Sequence, residues 1–262
     1  MPEPLPDWTL HPGSGPHLLL VHGFLSSSAQ WQLNLEALAK VCQPVTVNLF
    51  GHAGSPAPAD AACYYPDYYG QCFEQIRRKL GVAQWYVLGY SLGAGLTIRY
   101  ALNYPEQVTG HLFTNSTSAF ADDELLADWR ASLPATRNAI AADGLQALER
   151  LPVHPRHAWR LPAAVREALL ADARQHDPEG ISRTLEVTNL NASVRDLIAQ
   201  NPRPARLLFG TREKRFARFA EYVRNTMPQL DSVEIDAGHG LNMEAAEAFN
   251  NAVCHFVTSS PN

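Results

Sequence analysis

The sequence predicts an α/β fold: a mostly parallel, doubly wound sheet with helices on both faces and an all-helical cap insertion. Three observations predict it. The runs at 18–21 and 85–88 are continuously apolar, as expected of strands buried on both faces, and further strands are read at 45–49 and 108–114. Each run is followed by a helical spacing or a new turn, and strand alternating with helix implies right-handed crossovers and parallel pairing. From about residue 119 to 200 no strand is evident, and strands at 206–210 and 232–235 then resume the alternation. The organisation that follows is a core made of residues 1–118 and 201–262, with a helical cap, 119–200, inserted in it. At 262 residues the chain is long enough for one large core.

The elements follow in order. The lead from Met1 to Asp7 carries three prolines and acidic charge where a signal peptide needs a basic start and an apolar middle, so a cytoplasmic protein is expected. The strand at 18–21 ends in His22-Gly23-Phe24. Ser26 to Ser28 are placed to cap a helix reaching Ala39, with Trp31, Leu35 and Leu38 on one face. The strand at 45–49 runs into the glycine-bearing loop Phe50-Gly51-His52-Ala53-Gly54-Ser55, and a helix is expected at 66–80. A strand at 85–88 feeds a helix at 92–103, which stops at Asn103-Tyr104-Pro105. After the strand at 108–114 comes the polar turn Asn115-Ser116-Thr117-Ser118. Inside the insertion, acidic or proline signals open helices at 122–133, 162–175 and 178–190. A helix at 215–226 separates the last two strands, and one at 243–257 closes the chain.

Chemistry concentrates where the 85–88 strand turns into the 92–103 helix. The reversal falls within Gly89-Tyr90-Ser91-Leu92-Gly93, with Ser91 at the apex and glycines two residues to either side, where larger side chains would collide with strand and helix. By chance alone roughly one chain in ten of this length shows these three positions, so the partners decide. A serine hydroxyl needs a base within hydrogen-bond reach and a third group to hold that base in one tautomer. His239, on the Gly-flanked loop after the last strand, is the expected base, and Glu213, after the 206–210 strand, the expected acid. Asp236, only three residues from His239, is the rival acid; Asn115 is well placed at a strand end but uncharged. Two backbone donors must hold an oxyanion, and Leu92 N–H at the helix start and Phe24 N–H after the first buried strand are the candidates. His22 is expected to shape that loop, and His52 to be structural. Tyr90, Trp129 and Trp159 are candidates for substrate contact, with Phe120 a further aromatic for the pocket lining.

Composition excludes other classes. A net charge of −5 with no basic run argues against nucleic acid as a partner, and 46% hydrophobic residues with no long apolar stretch argue against a membrane. Cys42, Cys63, Cys72 and Cys254 form no CxxC pair, which fits packed thiols better than a disulfide frame or a zinc site. His154-Pro155-Arg156-His157 is broken by proline and lacks completing ligands. No metal or organic cofactor is implied; the expected partner is a small-molecule substrate, and assembly into a homo-oligomer is left open.

Taken together, His22-Gly23-Phe24, Gly51-His52-Ala53-Gly54-Ser55, Gly89-Tyr90-Ser91-Leu92-Gly93, the 210–216 loop and Gly238-His239 resemble the α/β-hydrolase superfamily over nearly the full chain. Within it, residues 87–93, 210–216 and 238–250 look most like the branch holding the menaquinone-pathway lyase that makes the succinyl-hydroxycyclohexadiene carboxylate, alongside small-molecule esterases and carbon–carbon hydrolases. That resemblance implies substrate-binding arginine after the elbow and an aspartate acid. Here Gly93-Ala94-Gly95 stands instead, Arg99 comes a turn later, Glu213 replaces aspartate and Asn48 another aspartate. Cap arginines Arg130, Arg137, Arg156 and Arg160 are the candidates to supply the missing cation. The reading expects a serine hydrolase of a modest-sized carboxylic ester; a lyase or carbon–carbon hydrolase with the same triad, and a non-catalytic binding protein on this scaffold, are the alternatives.

Overall fold

The computed structural model describes residues 4–259. The first three residues of the proline-bearing lead, from which the absence of a signal peptide is read above, lie outside the described residues. Seven strands form one sheet: β1 (Trp8–Leu10), β2 (His17–Val21), β3 (Gln43–Val47), β4 (Trp85–Gly89), β5 (Val108–Thr114), β6 (Ala205–Gly210) and β7 (Leu230–Ile235). Their order is β1-β3-β2-β4-β5-β6-β7; β1 pairs antiparallel with β3 and all other pairings are parallel. The order reverses beside β2, so the loops leaving β2 and β4 part at the carboxyl edge and open a crevice there. β1 was not expected from the sequence, because three residues between Pro6 and Pro12 leave no pattern to read.

The helices are α1 (Leu35–Leu38), α2 (Pro66–Lys79), α3 (Leu92–Asn103), α4 (Asp123–Asp143), α5 (Leu145–Arg150), α6 (Ala163–Ala173), α7 (Pro178–Arg183), α8 (Ala217–Thr226), α9 (Leu241–Glu244) and α10 (Ala246–Ser259). One sheet face is covered by α2 and α3 through Phe73, Ile76, Leu96 and Tyr100, the other by α1 and α10 through Leu38, Phe249, Val253 and Phe256. Burying an aliphatic or aromatic side chain of this kind stabilises the fold by roughly 1.5–3 kcal/mol each.

Four helix expectations need correction. The one expected at 243–257 begins at Leu241 and is broken at Ala245, outside helical geometry at φ −135° and ψ 53°, into α9 and α10. Residues 26–39 form a 3₁₀ turn (Ser28–Trp31) and the short α1 instead of one helix. Between them, buried Asn34 turns its amide to Asn242 O (2.9 Å) and Asn250 Oδ1 (2.8 Å), tertiary bonds that a continuous helix would compete with. The helix expected to end at residue 133 runs on through Pro134 to Asp143. Proline leaves the carbonyl of Arg130 without its helical donor, but Arg130 is exposed and water can hydrate it. The helix expected at 178–190 changes after α7 into a wider π-helical stretch, Thr184–Asn189, held by Thr184 Oγ1 to Gly180 O and Thr188 Oγ1 to Tyr64 O.

No strand lies between β5 and β6. That helical stretch is tied to the loops after β2 and β3: Ser27 Oγ donates to Asp172 (2.6 Å), Asp177 N to Gly51 O (2.9 Å), and Gly51 meets Gly180 backbone to backbone, where a Cβ would stand 2.8 Å from Gly180 Cα. Phe120 does not line a pocket. It is fully buried between Phe113 and Phe216, because the chain turns back into the core under α8 before α4 begins. Cys42, Cys63 and Cys72 are buried and Cys254 is half-buried, and no disulfide joins them among the described residues. No helix among the described residues is long and apolar enough to cross a membrane.

Candidate active site

Ser91 occupies the turn between β4 and α3 with φ 52° and ψ −117°, a region that side-chain-bearing residues avoid at a cost of about 1–3 kcal/mol. The surroundings enforce it. A Cβ on Gly89 would overlap Thr97 Oγ1 and Gly93 O, and one on Gly93 would overlap Val21 O and His22 O. Gly23 is needed for the same reason on the facing loop, since its Cβ would stand 2.9 Å from Ser91 Cβ and from the Tyr90 ring. Ser91 N donates to Thr114 Oγ1 (3.1 Å), so the last residue of β5 helps hold the turn.

Three side chains far apart in sequence meet at this turn. His239 Nε2 lies 3.0 Å from Ser91 Oγ, and His239 Nδ1 lies 2.9 Å from Glu213 Oε2. An ionised carboxylate can only accept, so Nδ1 carries the proton and Nε2 presents its lone pair to the serine hydroxyl. Glu213 Oε2 also accepts from Asn115 Nδ2 (2.8 Å), and the same Asn115 amide exchanges bonds with Gly210 O and N. Asn115 is therefore the support of the carboxylate, not its substitute. Burial alone would raise the Glu213 carboxyl, but the His239 and Asn115 hydrogen bonds and the charge of Arg215 outweigh it and hold it below the usual range. Asp236 is not bonded to His239: its side chain is 89% exposed and faces Arg212 at 3.4 Å.

Leu92 is the first residue of α3, so its N–H is one of the donors a helix start leaves without an intrahelical acceptor. Phe24 follows Gly23 on the loop after β2. Both residues line a cavity of about 680 Å³ that opens over Ser91 and also exposes Glu213 and His239. Its other walls come from the helical stretch between β5 and β6, with Trp129, Leu161, Leu169 and Leu185 making it mainly apolar. Tyr90 and Trp159 line it too. Tyr90 sits edge-on to the His239 ring, 5.3 Å between centroids, and Trp159 stands at the mouth, 73% exposed, with the Arg160 guanidinium 4.8 Å over its ring.

Residues 16–246 match the family described as the alpha/beta hydrolase fold. The chain belongs to that family. A Bacillus subtilis (strain 168) protein provisionally named 2-succinyl-6-hydroxy-2,4-cyclohexadiene-1-carboxylate synthase is 23% identical over 259 residues, 95% of this α/β hydrolase and 92% of that chain. An Arabidopsis thaliana 1-acylglycerol-3-phosphate O-acyltransferase is 27% identical over 125 residues; the match spans 46% of this chain and only 30% of that one. Among solved structures, MenH from S. aureus superposes with a TM-score of 0.85 at 18% identity, covering 97% and 99% of the two chains. A thermophilic esterase from Thermogutta terrifontis gives 0.78 at 20%, covering 97% and 94%. Identities this low show the shared fold.

The α/β hydrolase distributes its arginines differently from the expectation. Of the four candidate arginines, Arg160 alone lines the cavity; Arg137 pairs with Glu186 (2.7 Å), Arg156 with Glu149 (3.1 Å), and Arg130 lies with Arg137 in a separate surface depression. Arg99 is turned to Asn191 O, Ser193 O and Asp67. Arg215, Asn189 and Glu244 line the cavity and were missed. Arg215 has only its place beside Glu213 to announce it, and the π-helical widening that brings Leu185 and Asn189 to the wall leaves no sequence signature. His154 Nδ1 caps the turn Pro155–His157, accepting from Arg156 N, and His157 Nε2 donates to Glu149 O, so both serve the local turn structure. No group of three or more His, Cys, Asp or Glu that could hold a metal occurs among the described residues.

The loop bearing Phe24 rests on three buried imidazoles. His22 Nδ1 donates to Gly23 O and Nε2 accepts from Leu49 N; His52 Nδ1 donates to Phe50 O and Nε2 accepts from Leu25 N; His176 Nδ1 accepts from Ala53 N. Burial pushes His22, His52 and His176 down to about 3, helped by their mutual proximity. A base whose folded pKa is depressed takes up a proton on unfolding, so its stabilisation is complete above about 6.5 and is lost as pH falls toward 3. At pH 5 each such imidazole is expected to cost roughly 2 kcal/mol, with incomplete additivity among neighbours. Urea midpoints at pH 7.5 and 5 measure the sum. His176→Asn, which keeps an acceptor for Ala53 N but cannot titrate, is expected to shrink the acid loss; an unchanged loss would contradict this account.

Proposed function

We propose that the chain is a serine hydrolase that cleaves a carboxylic ester, or a related acyl compound, of modest size. The observation that carries the reading is the unbroken relay from Ser91 Oγ through His239 to Glu213, at 3.0 and 2.9 Å, on a strained turn that opens into an apolar cavity. In it, Ser91 Oγ attacks the acyl carbon while His239 Nε2 takes its proton, and the ester oxygen leaves with that proton. Water then attacks the acyl-enzyme by the same route in reverse. Glu213 holds the imidazole in its working tautomer and stabilises the imidazolium. The amides of Phe24 and Leu92 receive the oxyanion. No step calls for a metal or an organic cofactor. Residues 119–200 act as the roof that selects the substrate, with Tyr90, Trp129 and Trp159 in contact with the substrate, and four cysteines without a CxxC pair fit a cytoplasmic setting.

A cavity of about 680 Å³ suits a drug-sized ligand better than a minimal ester. Aryl esters of graded acyl length are therefore expected to give kcat/KM that rises from acetyl through medium chains before falling. Absence of turnover with every ester above the background of the Ser91→Ala variant would contradict the reading.

A second reading, a lyase using the same three residues for proton abstraction, is favoured by one observation. Arg160 and Arg215 line the cavity with no carboxylate at ion-pair distance among the described residues, as an anionic substrate would need. A succinyl-diene or diketone substrate turned over faster than any ester would select it.

A further inference from the structure

The loop that carries His239 is seated on a carboxylate outside the triad. Glu244 Oε2 accepts from Gly238 N at 3.0 Å, and the Glu244 side chain is only 10% exposed. A Cβ on Gly238 would stand 3.1 Å from Glu244 Oε1, and one on Gly240 3.2 Å from the same oxygen. Both glycines beside His239 therefore make room for this carboxylate.

The seat has a second anchor. Arg212 Nη2 donates to Asp236 O (3.0 Å) and reaches Glu244 Oε2 (3.5 Å), while Arg212 N donates to Ala237 O (3.0 Å). Arg212 is the immediate neighbour of Glu213. Below, Met243 N and Glu244 N both donate to Gly240 O at 2.8 Å. The loops of the base and the acid are thus bound to one another and to α9 by backbone bonds on both sides of His239, and Glu244 is the side chain they share.

We infer that Glu244 is a positioning residue for His239: it fixes the backbone of residues 238–240 so that the imidazole spans Ser91 and Glu213. It does not itself touch the reacting atoms. Its part is that of a hydrogen-bond acceptor, which glutamine can fill and alanine cannot. Misplacement of a reacting group by about 1 Å costs on the order of 100-fold in rate.

The inference rests on the proposed triad, and two measurements keep their failures apart. The first is the low-field proton resonance of the His239 Nδ1–H, identified by its loss in His239→Gln, which needs no turnover. The second is the rate of Ser91 labelling by a small fluorophosphonate. Glu244→Gln is expected to keep the resonance and label within about threefold of the parent; Glu244→Ala is expected to lose or broaden the resonance and label about 100-fold more slowly, with its circular dichroism unchanged. A parent that shows the resonance but is not labelled overturns the triad's chemistry and leaves the seat to be judged by the resonance. Glu244→Ala retaining both signals overturns the seat, as does a Glu244→Gln defect equal to that of Glu244→Ala.

Discussion

Ser91→Ala is expected to lower kcat/KM on the best aryl ester by at least about 10⁴-fold with no loss of fold. Removing the nucleophile of a comparable triad costs on the order of 10⁶ in kcat, the remainder coming from bound-substrate orientation and oxyanion donors. The fold should hold because the strain at φ 52° belongs to the backbone, and alanine meets it as serine does. Thr114 still receives the amide of residue 91, and Gly89 and Gly93 still clear the turn. What disappears is the 3.0 Å bond to His239, whose imidazole is then held from the Glu213 side alone. The unfolding free energy from urea titration is expected to stay within about 1 kcal/mol of the parent. A variant that unfolds, or one that keeps a tenth of the activity, would each contradict a part of this reasoning.

The second large effect is expected at Glu213, and it depends on which atom replaces the carboxylate. Glu213→Ala removes both the charge that stabilises the imidazolium and the acceptor that fixes its tautomer, and a loss of about 10⁴-fold is expected. Glu213→Gln is expected to fall less far. Two donors, Asn115 Nδ2 and His239 Nδ1, converge on one oxygen, so the amide of glutamine is steered to place its carbonyl there. The working tautomer survives and only the charge is lost, unlike the about 10⁴-fold penalty seen when an amide forces the wrong tautomer. Asn115→Ala, Glu213→Gln should undo that protection and approach the alanine value. Steady-state rates for the three variants decide it; equal losses in Glu213→Gln and Glu213→Ala would remove Asn115 from its assigned part.

Much of the sheet, and the meeting of Ser91, His239 and Glu213, was legible because the determinants are local. Gly89, Ser91 and Gly93 mark a sharp turn because they stand between an apolar run and a helical spacing, and α3 begins and ends at the residues read for it, Leu92 and Asn103. Glu213 and His239 could be read because each stands on a short loop between a strand and a helix. Other features were set by partners distant in sequence. Asn34 breaks its helix for the sake of Asn242 and Asn250, more than two hundred residues away. Phe120 is core because Phe113 and Phe216 enclose it, and nothing nearby in sequence says so. Arg160 reaches the cavity while Arg137 and Arg156 do not, because acidic neighbours in the fold claim those two. Glu244 has no signal of its own in the sequence; only the close approach of Gly238 and Gly240 reveals it.

The measurement that bears most directly on the central claim is mass-spectrometric mapping of the folded protein after brief exposure to a fluorophosphonate. The relay described here predicts a single adduct, carried by Ser91 and lost when His239 is replaced by glutamine. An unmodified Ser91, or an adduct that forms equally well without His239, would contradict it.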